Sequence, residues 1–371
     1  MKYGSLFSGI GGFEYGLGEE YAPLILNEID PAAKSVLKSR FPSIQIYDDV
    51  TTLTANQLDS IDLLLGGFPC QDVSIVGGQK GIGGTKTPLV KHIFRLVEDV
   101  QPDWILLENV QSIRFVHSGR VLNYVVQECE RLGYSWAYRV LDSNAFGLPQ
   151  RRRRWYFVAS KVSNPSDVLF SDFGSEIPKV KPILENPIGF YWTEGRRGHG
   201  LTNNAIPPLK AGSTIGIPSP PAVLFPNGSV VLPTIKTAER LQGFEEGWTE
   251  TAPVRDRWRL VGNAVSPPVI SWIANRMKEP RIWSLPQKNL SPTSKWPYAA
   301  YSTKPGIRNE VQISETPSDI NIGLLTDNSY TWNPISLRAI SGFISRARAS
   351  SLRYPPGFLE KLEYARDQMG N

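Results

Sequence analysis

A short apolar run that ends in two glycines, a proline and a cysteine constrains the fold of this chain more than any other stretch. Residues 61–65 are apolar enough to predict a buried strand of a parallel sheet. Gly66 and Gly67 let the backbone turn sharply, and Pro69 fixes the approach to Cys70. Open α/β sheets bind ligands where their strands end, so we expect Cys70 at a functional edge. The alternative is a buried structural thiol, since free cysteines are mostly core residues.

A glycine-rich run follows this cysteine. Residues 76–86 contain five glycines and two lysines, a composition that does not pack as a core element. Such a run suits a loop that closes over a polyanion, as many active-site lids do. An ordinary flexible linker is the alternative.

Length and composition indicate a globular protein. With 371 residues and 41% hydrophobic content, we expect one large domain and a smaller one. No stretch approaches the length of a membrane span, and no signal peptide precedes the first predicted strand. Two cysteines argue against a disulfide framework and for the cytoplasm. Three histidines without paired Cys/His spacing give no reason to expect a metal.

The positive charge is concentrated in two regions. The net charge is +5, which permits nucleic-acid binding without proving it. Lys and Arg outnumber Asp and Glu by 10 to 5 in residues 151–235 and by 11 to 7 in residues 281–371. A polyanionic partner is therefore expected to contact these regions.

The N-terminus predicts a nucleotide-type cradle. Residues 3–7 read as a strand, and Ser8-Gly9-Ile10-Gly11 leads into a helix, so free N–H groups and a close backbone approach are available. The spacing is not the dinucleotide fingerprint, because Glu14 stands where a third glycine would fall. A simple tight turn is the alternative.

Carboxylates follow the next predicted strands. Glu28, after the strand at residues 23–26, can accept hydrogen bonds from both hydroxyls of a ribose. Alternatively, Glu28 or Asp30 caps the next helix, with Asp30 the better cap. Asp49, after the third strand, can meet an adenine amino group or cap a turn. Glu108 ends the strand at residues 103–107, so it is expected at the same edge as Cys70.

The α/β pattern continues to about residue 160. Helices are predicted at residues 88–100 and 122–132, the second of which buries Cys129, and strands at residues 135–142 and 155–159. Four consecutive arginines, 151–154, precede the last strand. Because strand residues alternate, Arg152 and Arg154 are predicted to share one face.

The predicted domain organisation has four parts. Residues 1–160 form a catalytic and cofactor-binding domain, to which residues 233–280 return. Residues 161–232 are rich in Pro, Gly, Asn and Ser and suit a loop-borne target-recognition region. Residues 281–371 are an extension of uncertain role, in which residues 284–332 are mostly rich in Pro, Ser, Asn and Thr. A helix predicted at residues 334–349 is either a packed cap on the main domain or a DNA contact.

These motifs, in this order, resemble those of the DNA (cytosine-5) methyltransferases of bacteria and phages. The resemblance covers residues 1–160 and about 233–278, and includes Gly-Phe-Pro-Cys-Gln, Glu-Asn-Val and Gly-Asn-Ala-Val. It implies an α/β fold, with a Rossmann-like S-adenosylmethionine-dependent methyltransferase domain and a smaller, irregular, mostly β/loop target-recognition domain. A further motif is Arg240-Leu241-Gln242-Gly243-Phe244, beside which Glu245 replaces a common proline and Thr237 a common glutamate. These departures put the local packing of this motif in doubt.

The resemblance also implies site residues. Cys70 is the nucleophile that adds to C6 of a flipped-out cytosine, Glu108 bonds to N3 in its protonated form, and Arg152 holds O2. Arg152 and Arg154 are candidates for lowering the thiol pKa, and water or hydroxide removes the C5 proton. The implied contacts to S-adenosylmethionine are Phe7, Ser8, Gly9, Ile10, Gly11, Glu28, Ile29, Asp49, Val50, Pro69, Leu89, Asn263 and Ala264.

The expected partner is double-stranded DNA, which the enzyme recognises at a specific short sequence. The enzyme is expected to be a monomer in the cytoplasm. A cognate restriction endonuclease is a possible genetic partner. Two alternatives are a tRNA cytosine-5 methyltransferase and a non-catalytic DNA-binding relative, although the second would be expected to lack Cys70, Glu108 or the arginines. A nicotinamide-dependent oxidoreductase is excluded by the glycine spacing.

Overall fold

The computed structural model of the chain describes residues 1–69, 88–173, 184–195, 198, 200–210, 219–291, 294–317, 323–327 and 329–370. The chain divides into two compact units. Unit 1 comprises residues 1–142, 153–176 and 265–319, and unit 2 comprises residues 143–152, 177–264 and 320–371. The functional division expected from the sequence, with its boundaries at residues 160, 232 and 280, stays a prediction.

The described residues form strands and helices along the whole chain. The strands are β1 (Lys2–Leu6), β2 (Ala22–Asn27), β3 (Gln45–Tyr47), β4 (Leu63–Gly66), β5 (Trp104–Val110), β6 (Ser135–Asp142), β7 (Arg153–Ser160), β8 (Ile188–Phe190), β9 (Thr202–Asn203), β10 (Ala222–Leu224), β11 (Val230–Pro233), β12 (Gln287–Asn289), β13 (Ala299–Lys304), β14 (Ile307–Val311) and β15 (Trp332–Pro334). The α-helices are α1 (Gly12–Leu17), α2 (Pro31–Arg40), α3 (Leu89–Val100), α4 (Arg120–Arg131), α5 (Pro165–Leu169), α6 (Ile235–Gln242), α7 (Val254–Asn263), α8 (Pro267–Lys278), α9 (Leu337–Arg348) and α10 (Phe358–Met369).

Unit 1 is built on a ten-stranded sheet. Its strand order is β12-β14-β13-β6-β7-β5-β4-β1-β2-β3. The strands from β5 to β3 are parallel, whereas β7, β6 and the three strands beyond them pair antiparallel. The central strand β4 is buried along its whole length, as expected of a parallel strand covered on both faces. The predicted α/β class is confirmed.

The register of the parallel strands brings their carboxyl ends to one edge. Leu6 of β1 pairs with Asn27 of β2 and with Gly66 of β4, and Gly66 pairs in turn with Leu107 of β5. The residues that follow these four positions therefore emerge side by side. They include Glu28 and Glu108, the two glutamates expected at this edge.

The C-terminal extension adds three strands to this sheet. Strand β13 pairs antiparallel with β6, and β14 and β12 continue outward. The preceding Trp296 lies edge-on to Trp136 at 6.4 Å and to Tyr138 at 6.1 Å between ring centroids. The sequence predicted no strands here, because residues 284–332 are mostly rich in Pro, Ser, Asn and Thr.

Unit 2 contains a five-stranded antiparallel sheet in the order β15-β11-β10-β8-β9. Helices α9 and α10 pack on it through buried apolar side chains. Phe343 of α9 is fully buried, with its ring 4.9 Å from that of Phe190 in β8. The helix predicted at residues 334–349 begins later, because Pro334 ends β15 and Ser336 caps the helix by accepting from Ala339 N at 3.3 Å. It is a packed element of unit 2, and its contact with DNA stays a prediction.

Two smaller expectations are confirmed. Cys129 of α4 is fully buried among core residues. Asp30 caps α2, because its Oδ1 accepts from Ala32 N at 2.9 Å. Among the helices in the described ranges, none is long and apolar enough to cross a membrane.

Candidate active site

The loop between β1 and α1 forms a tight glycine turn, called the cradle below, at the sheet edge. Gly9 and Gly11 have φ angles of 58° and 85°, in the left-handed region that favours glycine. Ser8 N donates to Asn27 O at 2.9 Å, and Ser8 Oγ donates to Ser5 Oγ at 3.0 Å. The loop is therefore fixed to the ends of β1 and β2, and this confirms a built turn at the predicted place.

The Glu28 carboxylate lies at the mouth of this cradle. It accepts from Gly9 N and from Asp30 N, each at 2.8 Å. Burial raises the pKa of Glu28, and the two backbone N–H groups oppose that rise. Since Asp30 caps α2, Glu28 is left to orient the glycine loop, where its carboxylate can also meet a ligand hydroxyl.

The surroundings of the cradle fit an adenosine-containing group. A side chain built at Gly9 would meet no atom within 4 Å, so space is open there. Beside Glu28, the apolar side chain of Ile29 is 66% exposed and offers a surface for a ring. Ile10 and Val50 are buried, and their contact with a cofactor stays a prediction.

Asp49 follows β3 near the same edge and caps a turn. Its Oδ1 accepts from Thr51 N at 2.9 Å. The pKa of Asp49 is lowered, mainly by this backbone N–H and next by the Thr51 hydroxyl. The turn-capping alternative is thus observed, while contact with an adenine amino group stays a prediction.

Close backbone packing fixes α1 behind the cradle. A Cβ at Gly12 would lie 2.7 Å from Val265 O, and one at Gly16 would lie 2.6 Å from Pro267 O. Only glycine allows α1 to approach the start of α8 this closely. Leu89, a predicted cofactor contact, is the first residue of α3 and packs against the core of unit 1.

Glu108 lies inside β5 and not beyond its end, because the strand continues to Val110. Its side chain is 8% exposed, and its Oε1 lies 3.2 Å from Arg154 Nε on the neighbouring strand β7. The two residues form a diagonal cross-strand pair, since Val110 is directly opposite Arg154. The structure thus brings a predicted carboxylate and a predicted arginine into one ion pair.

Asn109 ties this edge to the turn that leads to the cysteine. Its Nδ2 donates to Phe68 O at 2.9 Å, and its Oδ1 accepts from Val110 N at 2.8 Å. The sequence predicted no separate role for Asn109. The available signal was a polar amide at the end of an otherwise apolar strand, which requires buried partners.

Several predicted residues lie outside the described part of the chain. They are Cys70 and the glycine-rich run at residues 76–86. Pro69, which precedes Cys70 in the sequence, is exposed.

Arg152 lies in unit 2, where it is 2% exposed and contacts backbone carbonyls. Its guanidinium donates to Ala264 O at 2.8 Å, to Gly262 O at 3.2 Å and to Leu209 O at 3.2 Å. Predicted cofactor contacts Asn263 and Ala264 belong to the same unit, and Asn263 is exposed.

A buried pair of glutamines extends this network. Gln150 Nε2 donates to Gln242 Oε1 at 3.0 Å, and Gln242 Nε2 donates to Ala264 O at 2.8 Å. Gln150 Oε1 accepts from Leu209 N at 2.8 Å. The amides therefore join the segments around Gln150, Gln242 and Ala264 within unit 2. The order of these segments in the sequence did not predict this contact.

The departure at Thr237 has a partner in the C-terminal extension. Thr237 Oγ1 donates to Thr331 O at 2.7 Å and accepts from Thr331 N at 2.8 Å. Arg240 of the same helix donates to Ser329 O at 2.8 Å. The extension thus satisfies the polar groups of α6, which resolves the doubt about packing at Thr237.

Comparisons with known proteins show the family to which the chain belongs. The model of the C-5 cytosine-specific DNA methylase family matches residues 1–201. The type II methyltransferase M2.BsuMI of Bacillus subtilis (strain 168) is 42% identical over 390 residues, covering 99% of each chain. M.DsaV of Dactylococcopsis salina is 31% identical over 304 residues, covering 75% of this chain and 86% of that protein. The crystal structure of S. pombe Dnmt2 methyltransferase, 21% identical, has a TM-score of 0.54 and covers 75% of this chain and 98% of its own, which supports the fold.

The chain therefore belongs to the C-5 cytosine-specific DNA methylase family. Its activity is the sequence-specific methylation of cytosine at C5 in DNA. The tRNA and non-catalytic alternatives are not favoured by these relatives.

Proposed function

We propose that this enzyme uses S-adenosylmethionine to methylate a cytosine that is flipped out of double-stranded DNA. The observation that carries the cofactor assignment is the cradle of Gly9 and Gly11, with the Glu28 carboxylate at its mouth. Glu28 would receive the ribose hydroxyls and Ile29 the adenine ring, with Asp49, Val50, Pro69, Leu89, Asn263 and Ala264 as further contacts. When bound, the cofactor supplies an electrophilic methyl group on a sulfonium.

The chemistry requires temporary loss of aromaticity in cytosine. The thiolate of Cys70 adds to C6, which makes C5 nucleophilic enough to take the methyl group. Removal of the C5 proton by water or hydroxide then allows Cys70 to leave and the ring to regain its aromaticity. These atoms are out of reach in a stacked duplex, so the base must leave the helix.

We assign the contact with cytosine O2 to Arg154 rather than to Arg152. Arg154 is ion-paired with Glu108, the residue proposed to bond to N3, at 3.2 Å. The guanidinium of Arg152 is buried against three backbone carbonyls of unit 2 and holds the end of α7 there. Arg152 then stabilises unit 2, whereas Glu108 and Arg154 contact the base.

The wider role follows from the relatives, which are named type II methyltransferases. We propose that the enzyme is a cytoplasmic monomer that modifies one short DNA sequence. A restriction endonuclease acting on the same sequence would be its genetic partner. Sequence choice is proposed to come from residues 161–232.

Bisulfite sequencing of plasmid DNA from cells that express the protein tests this proposal. We expect methylated cytosines in one short recurring sequence, and no methylation with Cys70→Ala, which should still bind cofactor. Cys129→Ala is the matched control, because that buried thiol serves only packing and methylation should persist. An unmethylated plasmid from folded, cofactor-binding wild-type protein would contradict the proposal.

A further inference from the structure

Glu14 is a buried carboxyl group that the proposed chemistry does not use. It lies in α1, directly behind the glycine cradle, and is 4% exposed. Its carboxyl oxygens make no hydrogen bond of good geometry among the residues that the structure describes, and the Ser5 hydroxyl is the polar group beside them. An unpaired buried carboxylate is costly, and an apolar side chain would fill the same volume without that cost.

The position of Glu14 places it against the strands that carry the cradle. Gly12 and Gly16 contact α8, and Tyr15 is 38% exposed, so Glu14 occupies the remaining, inward side of α1. Its neighbour there is the Ser5 hydroxyl of β1, which also accepts from Ser8 Oγ at 3.0 Å. Glu14, Ser5 and Ser8 thus form a polar column from the core to the loop.

The charged and titratable groups that face Glu14 explain its proton affinity. Burial raises the pKa of Glu14 to about 7, the Ser5 hydroxyl lowers it, and the Glu28 carboxylate raises it. Tyr3 is the other titratable neighbour, and the charge of Glu14 adds to the burial that raises the pKa of the Tyr3 phenol. Both forms of Glu14 are therefore accessible near neutral pH.

We propose that Glu14 is a positioning residue that releases a proton when the sulfonium cofactor binds, and that its charge then favours the cofactor over the neutral thioether product. This inference rests on the proposed use of S-adenosylmethionine. A cation at the cradle stabilises the ionised form of a nearby carboxyl. By linkage, loss of a proton on binding makes affinity increase with pH.

Calorimetric titration tests the proposal. S-adenosylmethionine and S-adenosylhomocysteine would be titrated into the full-length protein between pH 6 and 8.5, in buffers of different ionisation enthalpy. For the wild type we expect proton release on cofactor binding and an affinity that rises with pH by up to about tenfold per unit near pH 7. The product should show a smaller dependence.

Two variants separate Glu14 from other groups. Glu14→Gln should bind cofactor with a flatter pH dependence and a lower preference for cofactor over product at pH 8. Glu19→Gln removes an exposed carboxyl from the turn after α1 and should behave as wild type. Titration of the ligand is common to all three proteins, so a difference between wild type and Glu14→Gln requires the Glu14 carboxyl.

The outcomes are distinguishable. Equal pH dependence in wild type and Glu14→Gln, or no proton release by the wild type near pH 7, would overturn the role of Glu14. Failure of every variant to bind S-adenosylmethionine at any pH would instead contradict the proposed function.

Discussion

At the scale of single residues, the ion pair between Glu108 and Arg154 is the part of the site that the structure defines most directly. Both side chains are largely buried, and Glu108 Oε1 lies 3.2 Å from Arg154 Nε. Removing one member of such a pair leaves the other charge without compensation, which is costly in a site of low exposure.

We therefore predict that Arg154→Ala lowers kcat by at least about 100-fold, a loss typical for a group that acts on the reacting base. Arg154→Lys keeps the positive charge but not the planar guanidinium, so it should retain more activity than Arg154→Ala. Single-turnover transfer of a radiolabelled methyl group to cognate DNA measures the effect. Equal activity of Arg154→Ala and wild type would contradict the assignment of Arg154 to the base.

At this scale the sequence predicted residue types better than residue partners. Glu108, Arg152 and Arg154 were recognised as a set, and alternation along a strand predicted that both arginines share one face. The observed partners differ, because Arg152 precedes β7 and satisfies carbonyl groups of unit 2, whereas Arg154 pairs along the sheet with β5. Such partners depend on contacts between distant parts of the chain, which alternation cannot specify.

At the scale of secondary structure, the C-terminal helices are structural elements of unit 2. Phe343 of α9 lies against Phe190 and also contacts the ring of Tyr354 at 6.2 Å. Tyr364 of α10 is 63% exposed. Phe343 is therefore a buried aromatic residue of the C-terminal helices, and Tyr364 is an exposed one.

We predict that Phe343→Ala lowers the free energy of unfolding by about 3–5 kcal/mol, the usual cost of removing a buried phenylalanine. Tyr364→Ala should change it by less than about 0.5 kcal/mol, because that ring is exposed. Urea denaturation followed by circular dichroism measures both. Similar small losses in the two variants would show that α9 does not contribute to the core of unit 2.

At the scale of the whole molecule, the C-terminal extension completes both sheets. Strands β12, β13 and β14 belong to unit 1, and β15 belongs to unit 2 with α9 and α10. The motifs of the family end before this extension, in residues 1–160 and about 233–278.

A protein that ends at Pro280 should therefore fail to fold, even though every motif is present. It would expose the edge of β6 and the apolar face on which α9 and α10 pack, and unpaired edges and large apolar faces favour aggregation. The soluble fraction and the far-UV circular dichroism of the purified protein measure this, with full-length Cys70→Ala as the folded, inactive control. A soluble truncated protein that methylates DNA would contradict the prediction.

The sequence by itself determined the α/β class, the order of the motifs and the place of the glycine turn after β1. Buried parallel strands are apolar runs, and glycines at strand ends mark tight turns, so both features are local and visible in the chain. Only the tertiary structure decided that Glu108 pairs with Arg154, that Thr237 bonds to Thr331, and that the extension joins both sheets. These contacts join residues far apart in the chain, and short exposed edge strands have no apolar alternation that a sequence pattern could detect.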